Sequence, residues 1–153
     1  MATLNQGRGV TETSTDTYKQ IMVAVVHASA VGLGELLKNY KGQAERTELI
    51  RTYANNIRFF PDQTGYFFVY DYDCLNIALP NPLDWQGKNL RDLQDLHGKY
   101  QIRELSEAAK KGGGFVEYYW LKPGSTEHHK KLSYAEPIPG TNYFIGTGAY
   151  ISS

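Results

Sequence analysis

The residues of this 153-residue chain best suited to binding a small molecule are a tyrosine and a lysine on two neighbouring predicted strands. Because side chains alternate across a strand, each strand places one set on a shared face: Val116, Tyr118 and Trp120 on the first, and Lys131, Ser133 and Ala135 on the second. A phenol hydroxyl and an ammonium that point into one cavity could hold a carboxylate while aromatic rings exclude water. Periodicity alone favours a plainer alternative, a solvated lysine at a strand start and a tyrosine in the core.

The other motifs that could carry chemistry are each incomplete. Cys74 has no His or Asn partner in a nucleophile motif, so covalent catalysis is not expected. The adjacent His128 and His129 would splay to opposite sides of a strand or turn, which favours a polar hairpin tip over a metal site. Gly146 and Gly148 lack the third glycine of a dinucleotide site and better fit a strand that another element approaches closely. We therefore predict no catalytic residue, no bound metal and no cofactor.

Charge balance and hydropathy exclude several classes of protein. Sixteen basic and sixteen acidic side chains cancel, so no long-range field draws the chain to nucleic acid or to an anionic membrane. The single cysteine excludes an internal disulfide. The longest apolar candidate, Ile21–Val26, is far shorter than the roughly 20 residues that a spanning helix needs. We therefore expect a soluble piece, from which any membrane spans were removed.

Two helices are predicted before residue 61. Residues 1–14 carry no apolar period and are expected to be disordered. Thr15 or Asp16 can cap a long helix that ends at Lys41-Gly42. The buried stripe of this helix is predicted to be Met22, Val25, Val26, Ser29, Leu33, Leu36, Leu37 and Tyr40. His27 has no visible partner and is interpreted as structural. A second amphipathic segment extends to Phe60, before a turn at 61–65.

From Gly65 onward the apolar period changes from helical to two. Residues 66–70 and 75–79 are predicted to form a hairpin in which Tyr70 pairs with Leu75. That register would place Tyr66, Phe68, Ile77 and Leu79 on one side. A long loop, 80–97, carries Trp85 and precedes a short helix, 100–111. Three further strands are predicted at 114–121, 131–138 and 143–151. The class is α+β, with a five-stranded antiparallel sheet in one domain, 15–153, helical over 15–60 and sheet over 65–151.

Several motifs of the sheet region resemble one known family. They are Tyr66-Phe-Phe-Val-Tyr-Asp71, Gly87-Lys-Asn-Leu90, Gly112-Gly-Gly-Phe-Val116, Tyr118-x-Trp120-x-Lys-Pro-Gly124, Lys131-Leu-Ser-Tyr134 and Ile145-Gly-Thr-Gly-Ala-Tyr-Ile151. In this order they resemble the single Cache domain, an extracytoplasmic ligand-binding module of bacterial chemoreceptors, sensor histidine kinases and related transducers. The resemblance implies a long N-terminal helix, a PAS-like sheet, and a pocket between the sheet and the 80–97 loop.

The resemblance also implies a class of ligand. Members with this pattern bind small molecules, often acetate, propionate or pyruvate, and in some cases urea. Lys131 and Tyr118 match the polar anchors of the family. Leu79 departs from the pattern, because many relatives carry His or another polar residue there, so this pocket is expected to be more apolar and less suited to urea. The expected ligand-binding residues are Lys131, Tyr118, Tyr66, Phe68, Leu79, Trp85, Trp120 and Ser133.

These observations favour a non-catalytic periplasmic sensor for a short monocarboxylate, excised from a membrane-anchored receptor. A stand-alone secreted binding protein of the same fold is the alternative. A small hydrolase or isomerase using Lys131 and Tyr118 as acid and base remains a further hypothesis, as does a cytoplasmic PAS module with haem or flavin, although no convincing axial ligand faces the cavity. A small organic ligand is the expected partner, with no nucleic acid and contact with a membrane only through spans absent from this chain. A homodimer through the N-terminal helix is a further partner hypothesis.

Overall fold

Three helices and five strands follow one another along residues 14–151, the part of the chain that the computed structural model describes. The segment 1–14, predicted to be disordered, lies outside the described residues except for Ser14. The elements are α1 (Thr15–Leu37), α2 (Gln43–Ala54), β1 (Phe67–Asp71), β2 (Asn76–Ala78), a 3₁₀ turn (Leu83–Trp85), α3 (Gln101–Lys110), β3 (Gly114–Leu121), β4 (His128–Pro137) and β5 (Tyr143–Tyr150).

The five strands form one antiparallel sheet in the order β2-β1-β5-β4-β3. This confirms the predicted α+β class and the five-stranded sheet. The three C-terminal strands pair over long stretches, because two adjacent hairpins join them. The N-terminal hairpin adds β1 to the free edge of β5, so the first and last strands of the chain lie side by side at the centre of the sheet.

The sheet separates two apolar cores. On the helix face, which α1 and α2 cover, the sheet contributes Phe67, Val69, Leu132, Tyr134, Tyr143 and Ile145. On the opposite face, called here the site face, α3 and the 80–97 loop cover Tyr66, Phe68, Tyr70, Val116, Tyr118, Trp120, Ala135 and Phe144. Alternation along β1, β3, β4 and β5 therefore sends neighbouring residues to different faces of the sheet.

The N-cap of α1 is Ser14, one residue before the first of the two predicted caps. The Ser14 hydroxyl accepts from the backbone N–H of Thr17 at 3.1 Å. Close packing explains Gly34, where a Cβ would lie 2.9 Å from the carbonyl oxygen of Pro139. A window of 18 residues within α1 has a mean hydropathy of 1.6, so the helix is long and apolar enough to cross a membrane by length and composition. The expectation that no stretch approaches this limit was wrong. Residues Met22 and Val26 nevertheless pack fully buried against the sheet, as in a core helix.

Helix α2 ends at Ala54, six residues before the predicted Phe60. The chain then turns back on itself through a two-way backbone bridge between Phe59 and Gly65, at 2.9 and 3.1 Å. Phe60 takes a φ of 68°, a left-handed conformation that a helix cannot contain. The ring of Phe59 covers Gly65 at a position where any Cβ would clash with it. A local turn therefore overrides the apolar period over 55–60.

The register of the first hairpin differs from the prediction. The pairs are Tyr70 with Asn76 and Val69 with Ala78, with a bulge between them. The Asp71 carboxylate shortens the strand by accepting from the backbone N–H groups of Asp73 and Leu75 at 2.9 and 3.0 Å. The predicted pairing of Tyr70 with Leu75 was wrong, and Ile77 lies in the helix-face core. Leu79 lies in the site-face core with Tyr66 and Phe68, as predicted.

Candidate functional site

The site is built around a row of three side chains that cross the sheet. In the antiparallel pairing, Lys131 of β4 lies directly opposite Tyr118 of β3 on one side and Tyr150 of β5 on the other. Paired residues share a face, so all three point to the site face. Lys131 is 1% exposed. The alternative of a solvated lysine at a strand start was therefore wrong: β4 begins at His128, and the lysine is one of the larger fully buried side chains.

The Lys131 ammonium lies among aromatic rings. It donates one hydrogen bond to the Tyr66 hydroxyl, at 2.8 Å. Four ring centroids lie within 6 Å of Nζ: Tyr66 at 4.3 Å, Tyr150 at 5.3 Å, Phe68 at 5.4 Å and Trp120 at 5.7 Å. Such rings attract a cation through their electron-rich faces. They do not, however, replace the oxygen or nitrogen acceptors with which an N–H group forms a hydrogen bond. Within residues 14–151 the ammonium thus uses one of its three donors in a hydrogen bond.

Gly148 makes this arrangement possible. It lies opposite Ser133, two residues along the strands from the Lys131–Tyr150 pair and on the same face, and the lysine side chain passes over it. A Cβ at Gly148 would lie 2.6 Å from Lys131 Cε and closer still to Ser133 Oγ. Gly146 leaves room for the Phe68 ring in the same manner, at 2.6 Å. The prediction that these small residues permit a close approach is confirmed.

Burial controls the protonation of the site. Burial lowers the pKa of the Lys131 ammonium from its usual 10.5, although the Tyr66 hydroxyl opposes this effect. Burial raises the pKa of Tyr118, an effect that its hydrogen bond to Ser133 at 2.9 Å partly offsets. Burial likewise raises the pKa of Tyr150. Tyr118 and Tyr150 are therefore neutral hydroxyl groups at any physiological pH.

Asn81 organises the rim of the site, and the sequence analysis missed it. Its backbone carbonyl oxygen accepts from the Tyr66 hydroxyl at 3.1 Å and from Trp120 Nε1 at 3.0 Å. Its side-chain amide donates to the backbone carbonyl of Leu121 at 2.8 Å. The Tyr150 hydroxyl donates to the same Leu121 oxygen at 2.9 Å. The sequence signal was a lone asparagine between two prolines. Tyr150 was also missed, although its alternation with Gly146 and Gly148 places it on the site face.

The 80–97 loop covers the site at one end and is fastened at the other. Trp85 packs edge-on against Trp120, with ring centroids 5.3 Å apart, and so lies outside the four rings that surround Lys131. Gln86 Oε1 accepts from Asn55 at the end of α2 and from the backbone N–H of Leu79, at 2.9 and 3.0 Å. The next residues run beside the first hairpin, where Leu90 donates to the Cys74 carbonyl at 2.9 Å. The 3₁₀ turn around Trp85 thus has no hydrogen bond to α2 or to the first hairpin.

The predicted site residues divide into three groups. Lys131, Tyr66, Phe68 and Trp120 meet at the ammonium. Tyr118 and Ser133 form a bonded pair of hydroxyls beside it. Leu79 is buried in the same core, 1% exposed, and Trp85 lies at the rim. Strands β1 to β5 place no Asp or Glu on the site face, so they offer the lysine no carboxylate.

A second chain of contacts links β4 to α1. His27 Nδ1 lies 2.8 Å from Glu136 Oε2, and the Tyr134 hydroxyl donates to Glu136 Oε1 at 2.9 Å. Burial, with the neighbouring Glu136 carboxylate, raises the pKa of Tyr134 to about 12. The prediction that His27 has no partner was wrong, because its partner lies 109 residues away along the chain. Residues of β4 therefore touch α1 on one face and form the site on the other.

Comparison with known proteins places the fold among receptor sensor domains. A family model described as a Cache domain (dCache_2) matches residues 3–153. The sensor histidine kinase MctS of Rhizobium johnstonii is 33% identical over 95% of this chain, and the match covers 33% of that protein. The methyl-accepting chemotaxis protein CtpM of Pseudomonas aeruginosa is 31% identical over 79% of this chain and 22% of its own length. The chain thus spans a third or less of these relatives.

Solved structures agree with this placement. A methyl-accepting chemotaxis protein from Vibrio parahaemolyticus superposes with a TM-score of 0.77 and 31% identity, over 90% of both chains. A structure described as the basis for carboxylic acid recognition by a Cache chemosensory domain superposes with a TM-score of 0.76, over 92% of this chain and all of the other. Its identity is 24%, so the likeness concerns the fold.

Proposed function

We propose that this chain, which belongs to the Cache domain family, binds a short monocarboxylate at Lys131 as the extracytoplasmic sensor part of a membrane receptor. The observation that carries the proposal is the buried ammonium with a single hydrogen bond, to Tyr66. A buried cation normally has a counter-charge, and the site face supplies none. An anion from outside would complete the site.

The neighbouring groups support a carboxylate. The ammonium of Lys131 has two further N–H donors, which could bind the two oxygens of a carboxylate. The hydroxyl pair of Tyr118 and Ser133 offers another donor beside the ammonium. Charge-assisted hydrogen bonds of this kind are about twice as strong as neutral ones. The rings of Phe68 and Trp120 suit a methyl or ethyl tail. The absence of acidic residues on the strands of the site face leaves nothing there to hold an amino group, so amino acids fit less well.

The family and its relatives support the sensor role. Cache domains are ligand-binding parts of chemoreceptors and sensor kinases, and the relatives matched here are a histidine kinase and a chemotaxis receptor. The carboxylic acid recognised by one structural neighbour agrees with the proposed ligand class. We infer that this chain likewise passes a binding signal to a transmitter outside its own sequence. Such a signal requires the ligand to favour one of two conformations of the domain.

A thermal-shift screen tests the ligand class. Acetate, propionate, pyruvate, amino acids and urea would be compared at matched concentrations. A ligand at one hundred times its dissociation constant adds about 2.7 kcal/mol to the free energy of unfolding. For a domain of this size that corresponds to an increase in Tm of about 5–10 °C. We expect this increase with the short monocarboxylates, whereas stabilisation by urea or an amino acid alone would contradict the proposal.

The Lys131→Met variant tests the site. Methionine has a similar length, so it removes the charge without leaving a large cavity. We expect calorimetry to show at least about a tenfold loss of affinity, the value of one charge-assisted hydrogen bond of roughly 1.5–3 kcal/mol. The matched control is Lys41→Met, an exposed lysine between α1 and α2. Equal affinity of parent and Lys131→Met would move the anion site elsewhere.

A further inference from the structure

Gln101, the first residue of α3, carries a buried amide oxygen without a partner. Its side chain is buried, with 2% of the residue exposed. Its Oε1 is enclosed by protein and accepts no hydrogen bond from any donor in residues 14–151. Enclosing such an acceptor without a donor lowers stability, so native structures keep few of them. Ser106, a buried polar residue of the same helix, by contrast donates to the Tyr72 carbonyl at 3.3 Å.

The helical period places Gln101 on the face of α3 that packs on the sheet. Residues four apart in a helix share a face, so Gln101 is in line with Leu105 and Ala109. Both of these residues belong to the site-face core, together with Tyr118 and Trp120 of β3. Gln101 therefore continues an apolar row of the helix with one polar side chain.

Contacts at both ends of α3 fix its direction along β3. Near the end of the helix, a Cβ at Gly114 would lie 3.2 Å from Ala108 Cβ. Just before the helix, the Lys99 ammonium donates to the Glu117 carbonyl at 2.6 Å. Residues 101–108 rise roughly 10 Å, about the length of three strand residues. The helix therefore runs antiparallel to β3, and its first turn lies level with Glu117 and Tyr118.

Tyr118 connects this position with the Lys131 site. It lies directly opposite Lys131 in the pairing of β3 with β4. Its hydroxyl shares a hydrogen bond with Ser133 Oγ at 2.9 Å. The Lys131 ammonium thus comes from the sheet, whereas the Gln101 amide comes from the helix that covers the same core. The two are polar groups of one core, and both have hydrogen-bonding capacity left over.

The chemistry of an amide favours a ligand hydroxyl as the missing partner of Gln101. A glutamine offers an acceptor oxygen and an NH₂ donor, and a hydroxyl can donate to the first or accept from the second. A methyl or ethyl tail can do neither. An ammonium group could also donate to Oε1, but it would bring a second positive charge into the core of Lys131, where the strands of the site face carry no Asp or Glu.

We propose that Gln101 determines specificity at the Lys131 site and that the ligand is a short hydroxymonocarboxylate, with its carboxylate on Lys131 and its hydroxyl on Gln101. This inference rests on the proposed function, since it takes Lys131 as the anchor of the carboxylate. It narrows the ligand class to acids with a hydroxyl on carbon 2 or 3. An acid without the hydroxyl would leave the buried amide oxygen unpaired, and a site built in this way discriminates against it.

Calorimetry with pairs of acids that differ by one hydroxyl tests this role. Lactate is compared with propionate, and 3-hydroxybutyrate with butyrate. The parent should bind at least one hydroxy acid about fivefold or more tightly than its unsubstituted counterpart. Gln101→Met, a replacement of similar length, should bring the two affinities within about twofold of each other. Gln94→Met, the same change at an exposed glutamine of the 80–97 loop, is the control and should keep the preference.

A second variant, Gln101→Leu, ensures that the test does not depend on the folding of one protein. Both replacements remove an unpaired buried acceptor, so the free domain should unfold at a higher temperature than the parent. A merely structural role of the amide would have the opposite effect, and it would not distinguish lactate from propionate.

The outcomes separate this inference from the function on which it rests. If the parent shows no preference for either hydroxy acid, or if Gln101→Met and Gln101→Leu keep the preference, Gln101 does not read the ligand. The proposed function then stands, provided that Lys131→Met weakens binding at least about tenfold. If Lys131→Met binds the acids as the parent does, or if the parent binds none of the four acids, the proposed function fails and the role of Gln101 fails with it.

Discussion

At the scale of single residues, Lys131 shows a conflict between stability and binding. A buried ammonium with one hydrogen bond lowers stability, and exchanging such a charge for an apolar side chain is often neutral or stabilising. The faces of the Tyr66 and Phe68 rings offset part of the cost of burying the charge, but they accept no hydrogen bond from the remaining N–H groups of the ammonium. A buried ionisable group whose pKa is shifted by burial is found more often at functional sites. This agrees with our proposal that the lysine receives an anionic partner from outside residues 14–151.

The lowered pKa of Lys131 predicts that affinity for propionate falls as the pH rises. A bound carboxylate favours the ammonium, so the pKa of Lys131 is higher in the complex than in the free protein, where it lies below 10.5. Between these two values only the complex holds the proton, and affinity falls by up to about tenfold per pH unit. The raised pKa values of Tyr118 and Tyr150 keep both phenols neutral across this window.

Calorimetry from neutral pH to about pH 10 checks this dependence. Binding should take up protons where the free lysine is partly deprotonated, which buffers of different ionisation enthalpy reveal. Lys131→Met removes the titrating group, so any residual binding should be independent of pH. The free domain should gain stability over the same window, because its unfolded chain holds the lysine proton more tightly than the fold does. A parent affinity that stays constant up to pH 10 would show that Lys131 makes no contact with the ligand.

At the scale of elements, β5 fixes the site through residues that have no side chain. Gly146 and Gly148 lie beneath the Phe68 ring and the Lys131 stem, respectively. A bulkier strand at the centre of the sheet would push both away from the hydroxyl of Tyr66. Strand β5 therefore contributes space and β4 contributes the charge. Tyr66, just before β1, contributes the hydroxyl that accepts the hydrogen bond of the ammonium.

Gly148→Ala should destabilise the fold by about 1–3 kcal/mol, because the added methyl group would overlap Ser133 and press on Lys131 Cε at 2.6 Å. The matched control is Gly32→Ala in α1, where a Cβ meets nothing within 4 Å. There alanine should stabilise the helix by about 0.5–1 kcal/mol. Urea unfolding of both variants gives the comparison. A Gly148→Ala protein as stable as Gly32→Ala would mean that the lysine stem has room to move aside.

The 80–97 loop is predicted to respond to ligand near Trp85 and much less beyond it. The 3₁₀ turn has few ties, chiefly Trp85 N–H to the Pro82 carbonyl at 3.2 Å. By contrast, Gln86 and Leu90 are already bonded to α2 and to the first hairpin. Bound propionate should therefore slow hydrogen exchange in 82–85 and leave 86–96 almost unchanged. Equal exchange in 82–85 with and without ligand would show that Trp85 is a spectator.

At the scale of the whole molecule, β4 connects the proposed site with helix α1. Its alternate residues reach the site through Lys131 and Ser133, and reach α1 through Glu136 and its partner His27. A small shift of β4 would therefore change the packing in both cores. Helix α1 also exposes apolar side chains on its outer surface: Val23 at 38%, Val31 at 43% and Leu36 at 45%. A second copy of the helix would cover them.

We therefore predict that the domain self-associates through α1. Val31→Glu should shift sedimentation toward the monomer, because a charge in a paired apolar stripe is costly. Leu96→Glu is the control, since Leu96 is 63% exposed in the loop on the site side of the sheet. If both variants sediment as the parent does at all concentrations, α1 is not a pairing surface within this chain.

The sequence by itself determined the elements and the faces of the sheet. Alternation is a local property, so it placed Tyr118 with Val116 and Trp120 on one face of their strand, and Lys131 with Ser133 and Ala135 on one face of theirs, without knowledge of the fold. The close approach to the glycines of β5 and the short helix before β3 followed from local patterns in the same way. Motif order indicated the Cache family, which the comparisons confirm.

Tertiary structure decided what those residues do. Lys131 is buried rather than solvated because Tyr66, 65 residues earlier, accepts its hydrogen bond above Gly148. Asn81 organises the rim through a contact with Leu121, 40 residues away. His27 has its partner 109 residues along the chain. Hydrophobic period carries no information on such distant pairs, because each depends on which elements become neighbours in the fold.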